Sequence, residues 1–295
     1  MFKGSIVAII TPFRENDIDE ENLKKLIQFQ IEAGTNGIVP CGTTGESPTL
    51  TPQEHNRVVE VCVKEVNGRV PVIAGTGSNS TVEAIAFTQH AKSVGADAAL
   101  IVTPYYNKPT QKGIYLHFKA IADSVDIPII LYNIESRTGR NIETETVARL
   151  AKDCKNIIGV KEASGSLTQA KDVKKACGNE FIILSGDDAL TIPILELGGH
   201  GVISVVANIV PKDVVGMINA FNRGDIESAK KMNENLRPLV EAMFIETNPI
   251  PVKKAAELLG LSSGHLRLPL CDMEEKNLEK LKKALEKYGL LSGVL

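Results

Sequence analysis

The run Pro128-Ile129-Ile130-Leu131 is short, apolar and uninterrupted. Strands of a parallel sheet have this pattern, because helices cover the sheet and bury both faces of each strand. Similar runs recur along the chain and alternate with amphipathic helical stretches. The predicted strands begin at Ser5, Gly37, Val70, Ala98, Pro128, Ile157, Phe181 and Gly201. Their mean spacing of about 28 residues is close to the ~30 residues of a strand–helix–strand unit.

The strand signal stops after Arg223, and the rest of the chain has helical periodicity. We predict helices over Ile226–Met243, Val252–Leu259 and Glu275–Tyr288. Eight strand–helix units followed by helices predict an α/β fold, a (β/α)8 TIM barrel over residues 1–224 with a helical region, 225–295, packed on it. A doubly wound open sheet is the alternative.

Two predicted helix starts carry the residues of a capping box, in which the first and fourth side chains bond to backbone N–H groups. They are Thr51-Pro52-Gln53-Glu54 and Ser80-Thr81-Val82-Glu83. Each would begin the helix that follows a predicted strand.

Charge and cysteine content exclude several classes of protein. Lys and Arg number 33 against 36 Asp and Glu, so the net charge of −3 is too balanced for a nucleic-acid or membrane-surface protein. The 5 cysteines are odd in number and widely spaced, which is typical of reduced thiols in the cytoplasm rather than of a disulfide framework. No apolar stretch approaches the ~18–20 residues of a membrane span. We therefore expect a cytoplasmic enzyme.

In a barrel, catalytic residues lie where strands end and the following loops begin. Lys161 ends the apolar run that starts at Ile157, and Tyr105, Tyr106 and Tyr132 also fall at strand ends. Burial disfavours the charged form of an amine, and a free amine can form a Schiff base with a carbonyl compound. The alternatives are a lysine that extends to solvent and tyrosines that only pack under loops. Strand alternation does not decide between them, because both faces of the strand are apolar.

The loop Cys41-Gly42-Thr43-Thr44-Gly45-Glu46 exposes backbone N–H groups and hydroxyls, which suits a small carboxylate or phosphate. An ordinary glycine turn is the alternative. Gly75-x-Gly77 lacks the rest of a dinucleotide fingerprint, and the five histidines are too scattered for a metal site. We expect no cofactor and no metal.

Taken together, these segments resemble the 4-hydroxy-tetrahydrodipicolinate (dihydrodipicolinate) synthase family. This family belongs to the pyruvate-dependent class I aldolases, which include N-acetylneuraminate lyase. Seven segments carry the resemblance, in order along the chain: 42–46, 74–77, 103–107, 132–139, 159–163, 184–188 and 246–253.

The resemblance implies a lyase that joins pyruvate to L-aspartate 4-semialdehyde in the diaminopimelate route to lysine. It implies a Schiff base on Lys161 and a proton relay from Tyr132 through Thr43 to Tyr106, with Tyr106 reaching the site of a partner subunit. The implied substrate-binding residues are Thr44 for the pyruvate carboxylate, Arg137 for the second substrate, and Gly186 and Ile203 for the pocket wall. The family usually assembles as a homotetramer of two tight dimers.

In regulated members of the family, L-lysine binds an effector site at the tight-dimer interface. The matching positions are Ser47, His55, Asn79, Glu83 and Tyr105. Two positions depart from the family pattern. Pro52 replaces a histidine of some regulated members, so we expect weak lysine binding, and Glu135 replaces a proline of many members close to Arg137.

Two rival functions are weighed against the synthase. An aldolase for 2-keto-3-deoxy sugar acids or N-acetylneuraminate would use the same lysine, but the Ser136-Arg137-Thr138-Gly139 loop is typical of the synthases. A catalytically silent binding barrel is disfavoured because Lys161 and Tyr132 are both present.

Overall fold

The computed structural model describes residues 2–15 and 17–291. Its strands are β1 (Gly4–Ala8), β2 (Phe13–Arg14), β3 (Asp17–Ile18), β4 (Gly37–Val39), β5 (Ile73–Gly75), β6 (Ala98–Val102), β7 (Ile129–Asn133), β8 (Ile157–Glu162), β9 (Ile182–Ser185) and β10 (Gly201–Ser204). Strands β2 and β3 form a small antiparallel hairpin, and the other eight form one sheet in the order β4-β1-β10-β9-β8-β7-β6-β5.

Hydrogen bonds between the two ends of this sheet close it into a barrel. The N–H of Ile38 donates to the carbonyl of Pro71 at 3.0 Å, and the N–H of Gly75 donates to the carbonyl of Pro40 at 2.9 Å. All pairings within the sheet are parallel. The predicted (β/α)8 barrel is confirmed, and the doubly wound alternative is wrong.

The helices alternate with the barrel strands and continue after the last one. They are α1 (Glu20–Glu32), α2 (Pro52–Val66), α3 (Thr81–Ser93), α4 (Gln111–Ser124), α5 (Glu135–Thr138), α6 (Thr144–Asp153), α7 (Leu167–Cys177), α8 (Thr191–Glu196), α9 (Pro211–Asn222), α10 (Ile226–Met243), α11 (Ile250–Leu258) and α12 (Glu275–Tyr288). The predicted bounds of α10 and α12 are confirmed, whereas α11 begins two residues earlier than predicted. Strand β5 begins at Ile73, not at the predicted Val70.

Of the two predicted capping boxes, only the first forms. The Thr51 hydroxyl accepts from the Glu54 N–H at 3.2 Å, and the Glu54 carboxylate accepts from the Thr51 N–H at 2.8 Å. The second prediction is wrong, because the Ser80 side chain accepts no bond from α3. The Glu83 carboxylate accepts from the hydroxyl of Ser78 instead.

Alternate residues of each strand face different cores. Along β7, Ile130 and Tyr132 pack inside the barrel, whereas Ile129 and Leu131 pack against the surrounding helices. Strand alternation therefore does separate the two faces, although both are apolar. It determines which strand-end side chains face the barrel interior.

The C-terminal helices α10, α11 and α12 pack into the same apolar core as α1, α2 and α9. The division at residue 224 stays a prediction, but this shared core holds the residues after α10 against the barrel loops. Those loops carry the candidate site.

Candidate active site

Lys161 and Tyr132 lie side by side at the carboxyl ends of β8 and β7. They are register partners across the two strands, and Lys161 pairs in turn with Leu184 on β9. The Lys161 Nζ lies 4.0 Å from the centroid of the Tyr132 ring. Only 6% of Lys161 and 5% of Tyr132 is exposed. Lys161 is thus a buried amine in contact with a phenol, and the alternative of a lysine extending to solvent is wrong.

The remaining wall around the lysine stem is tight. A Cβ added to Gly186 would lie 3.0 Å from Cε of Lys161 and 2.6 Å from Cβ of Ala163. Glycine at this position therefore lets the backbone approach the lysine closely. Ile203 is 1% exposed and packs in the barrel interior with Tyr132.

A cavity of about 240 Å³ opens at this end of the barrel. Five of the predicted catalytic, substrate-binding and effector-site residues line it, namely Thr43, Ser47, Tyr105, Tyr132 and Arg137. The size suits a small organic acid, and the lining combines hydroxyls and a guanidinium with apolar side chains. Such a mixture is typical of a small-molecule site.

Thr44 and Arg137 are linked by Asn248, a residue with no predicted role. The side-chain Nδ2 of Asn248 donates to the Thr44 hydroxyl oxygen at 3.0 Å. The Arg137 guanidinium donates to the backbone carbonyl of Asn248, also at 3.0 Å. Asn248 lies in one of the seven segments, but its contacts are far apart in sequence, so a local pattern does not predict them.

A buried ion pair supports the loop that carries Thr43 and Thr44. The Lys253 amine lies 2.5 Å from the Glu46 carboxylate, and both side chains are 0% exposed. The amine also donates to the carbonyl of Thr11 at 2.8 Å, and the Thr11 hydroxyl donates to the carbonyl of Gly45 at 2.7 Å. Burial outweighs the attraction of Glu46 and lowers the pKa of Lys253 to about 8. The pair attaches the loop after β4 to helix α11.

Tyr106 is not brought into the site of its own chain. It is 90% exposed and has a positive φ of 70°, an unfavourable backbone conformation for a bulky residue. The predicted relay therefore has Tyr132 and Thr43 at the cavity and Tyr106 outside its lining.

The five residues of the predicted effector site are only partly together. Ser47 and Tyr105 line the cavity, and the pKa of Tyr105 is raised by burial and by Glu83. His55 lies deeper: its Nε2 donates to the carbonyl of Gly75 at 2.8 Å, and its ring stacks on Phe87. Burial lowers the pKa of His55 and so favours the neutral form of the imidazole.

Asn79 and Glu83 lie at the edge of this region. The carbonyl of Asn79 accepts from the Asn107 side chain at 2.9 Å, and Glu83 is exposed. Pro52 begins α2 and is also exposed, as is Glu135 at the first residue of the short helix α5 that carries Arg137. Neither departure from the family pattern disrupts the helix on which it lies.

Within residues 2–15 and 17–291, no group of three or more His, Cys, Asp and Glu side chains is arranged to hold a metal ion. Over the same residues, every helix is too short or too polar to cross a membrane.

Comparisons with known proteins agree with the geometry. Residues 1–288 match the model of the Dihydrodipicolinate synthetase family. The 4-hydroxy-tetrahydrodipicolinate synthase of Endomicrobium trichonymphae is 59% identical, over 99% of this chain and 100% of its own. Two solved structures have TM-scores of 0.96: the chloride-inhibited dihydrodipicolinate synthase of Acinetobacter baumannii complexed with pyruvate (45% identity, 99% and 100% coverage), and DHDPS of Cyanidioschyzon merolae with lysine bound (43% identity, 98% and 99% coverage).

Proposed function

Because the chain belongs to the dihydrodipicolinate synthetase family, we propose that it condenses pyruvate with L-aspartate 4-semialdehyde to give 4-hydroxy-tetrahydrodipicolinate. This is a step of the diaminopimelate route to lysine. The observation that carries the proposal is the buried amine of Lys161 against the ring of Tyr132, beside a cavity lined by Thr43 and Arg137.

Lys161 forms the Schiff base. Its amine attacks the ketone carbon of pyruvate and water leaves, so that a protonated imine joins the two. The imine draws electrons from the neighbouring methyl group, which loses a proton and becomes an enamine carbon. That carbon attacks the aldehyde of the second substrate. The amino group of that substrate then attacks the imine carbon and displaces Lys161, which closes the ring and frees the lysine amine. Because the imine itself accepts the electrons, the proposed reaction needs no cofactor or metal.

Tyr132 moves protons at the imine. A phenol both donates and accepts a hydrogen bond, and the ring of Tyr132 lies against the amine that reacts. Thr43, in the same cavity lining, passes protons onward. Thr44 holds the pyruvate carboxylate, while Gly186 and Ile203 form the wall that confines the three-carbon acid.

Arg137 binds the second substrate. Its guanidinium is exposed at the cavity and anchored by the carbonyl of Asn248. A guanidinium presents paired donors that match a carboxylate. Arg137 therefore receives the carboxylate of aspartate 4-semialdehyde after pyruvate is attached.

The active unit is a tight dimer within a homotetramer. Tyr106, nearly fully exposed in the single chain, completes the relay in the partner subunit's site. We place the enzyme in the cytoplasm, as its cysteine usage predicts.

Borohydride trapping tests the Schiff base. Reduction in the presence of pyruvate is expected to add one three-carbon acid to the peptide that contains Lys161, after which the semialdehyde is no longer consumed. The other buried lysine, Lys253, is the internal control and is expected to stay unmodified. An adduct elsewhere, or turnover of a 2-keto-3-deoxy sugar acid in preference to the semialdehyde, would overturn the proposal.

L-Lysine is proposed as a feedback effector at Ser47, His55, Asn79, Glu83 and Tyr105. The exposed carboxylate of Glu83 suits the α-ammonium group, and Tyr105 with Asn79 suits the carboxylate. Pro52 has no donor for the lysine side chain, so affinity is weaker by about twofold to tenfold than with a histidine there.

Lysine titration tests the effector site by two measurements on one sample. Lysine is expected to reduce the condensation rate partly and to raise the melting temperature, since a ligand at ~100 times its Kd adds about 2.7 kcal/mol of stability. Glu83→Gln is expected to abolish both effects. If millimolar lysine changes neither quantity in the wild type, the effector site is absent.

A further inference from the structure

Asn248 reaches both halves of the proposed site from the C-terminal part of the chain. It lies between α10 and α11 and is 4% exposed. Its side chain touches Thr44, and its backbone carbonyl touches Arg137. We propose that Asn248 is a positioning residue that turns the Thr44 hydroxyl proton toward the pyruvate carboxylate. This inference rests on the proposed function and adds a residue to it.

The direction of the Asn248–Thr44 hydrogen bond determines what the Thr44 hydroxyl can still do. A threonine hydroxyl has one proton to donate and two lone pairs that accept. Nδ2 of Asn248 donates to the Thr44 hydroxyl oxygen. This bond occupies one lone pair of that oxygen and leaves the Thr44 hydroxyl proton free to donate. Among the residues that the structure describes, none accepts that proton, and Thr44 is 2% exposed. A carboxylate accepts such a proton and cannot supply one.

The side-chain oxygen and the backbone carbonyl of Asn248 are consistent with a role as donor to Thr44. Its side-chain oxygen is buried and has no hydrogen-bond partner among the described residues, so the donor half of the amide makes the contact with the site. The backbone carbonyl meanwhile holds Arg137, whose role is the second substrate. A change of the Asn248 side chain should therefore weaken pyruvate binding while leaving the anchor of Arg137 in place.

The test uses Asn248→Leu, which keeps the size and removes the donor, and Asn248→Asp, which keeps the shape and offers only acceptors. We expect Asn248→Leu to raise the KM for pyruvate roughly tenfold, with kcat and the KM for the semialdehyde within about threefold of wild type. Asn248→Asp is expected to raise the KM for pyruvate further, because its carboxylate captures the Thr44 proton and repels the substrate anion.

A double-mutant cycle with Thr44→Val separates positioning from general damage. If Asn248 acts through the Thr44 hydroxyl, Asn248→Leu should have almost no additional effect on the KM for pyruvate once that hydroxyl is gone. Additive effects, or an Asn248→Asp enzyme with the KM of wild type, would overturn the inference. Absence of pyruvate trapping in the wild type would instead overturn the proposed function, so the two failures are distinguishable.

Discussion

Replacing Lys253 by methionine removes the amine that pairs with the buried Glu46 carboxylate, whose other oxygen accepts a hydrogen bond from the backbone N–H of Arg267. Methionine has about the same length as the aliphatic part of lysine, so packing changes little. A buried carboxylate deprived of its partner costs ~3–5 kcal/mol. We expect Lys253→Met to lower the free energy of unfolding by about this amount.

The double variant Glu46→Gln/Lys253→Met is the matched control. In the wild type, Oε2 of Glu46 accepts a hydrogen bond from the backbone N–H of Arg267 at 3.1 Å. The side-chain oxygen of glutamine can accept the same bond, but glutamine carries no charge that would be left without a partner. We expect the double variant to be more stable than Lys253→Met by at least ~2 kcal/mol, because the penalty comes from the unpaired charge and not from the missing amine.

The assay is urea unfolding followed by far-ultraviolet circular dichroism, since the chain has 0 tryptophans. Protein concentration is held constant, because assembly shifts the transition by mass action. A Lys253→Met enzyme within ~1 kcal/mol of wild type, or a double variant less stable than the single one, would refute the reasoning.

Three further outcomes are expected. Arg137→Ala should leave pyruvate trapping intact and raise the KM for the semialdehyde roughly tenfold to a hundredfold, from the loss of ~1.5–3 kcal/mol of charged hydrogen bonding; equal effects on both substrates would contradict its role. Gly186→Ala should slow trapping of pyruvate on Lys161 and cost ~1–3 kcal/mol of stability, since its Cβ would meet Cε of Lys161 at 3.0 Å; wild-type trapping kinetics would contradict the tight wall. The pKa of Lys253 is lowered from 10.5 to about 8, so between these pH values the native state binds fewer protons than the unfolded state. The free energy of unfolding should therefore rise by up to ~3 kcal/mol as pH increases through this range. The same pH dependence of stability in Lys253→Met would contradict the assignment.

Local sequence pattern is sufficient to predict the barrel and to place Lys161 and Tyr132 at strand ends, but it does not decide what these two side chains do. Each strand is a short apolar run, and Lys161 and Tyr132 both occur where such a run ends. The pairing that puts these two side chains together depends on the register of neighbouring strands, which the strand-end positions already imply. The predicted roles of Lys161 in the Schiff base and of Tyr132 in proton transfer come from the family resemblance.

Contacts between distant segments were not predictable in this way. Asn248 bonds to Thr44 and Lys253 to Glu46 because α11 packs over the barrel mouth, and no local periodicity reports where a helix packs. The missing capping box at α3 has a local cause. A competing hydroxyl, that of Ser78, takes the Glu83 carboxylate that would otherwise turn back to the helix start.

The placement of Asn248 and Lys253 after the last barrel strand also affects how the protein is made and how it can change. A ribosome finishes all eight barrel strands, Lys161 included, before it reaches either residue. A nascent chain thus contains Lys161 before the loop with Thr43 and Thr44 has its support. Mutations in the last quarter of the chain can accordingly alter the support of this loop, while the strands that carry Lys161 and Tyr132 stay unaltered.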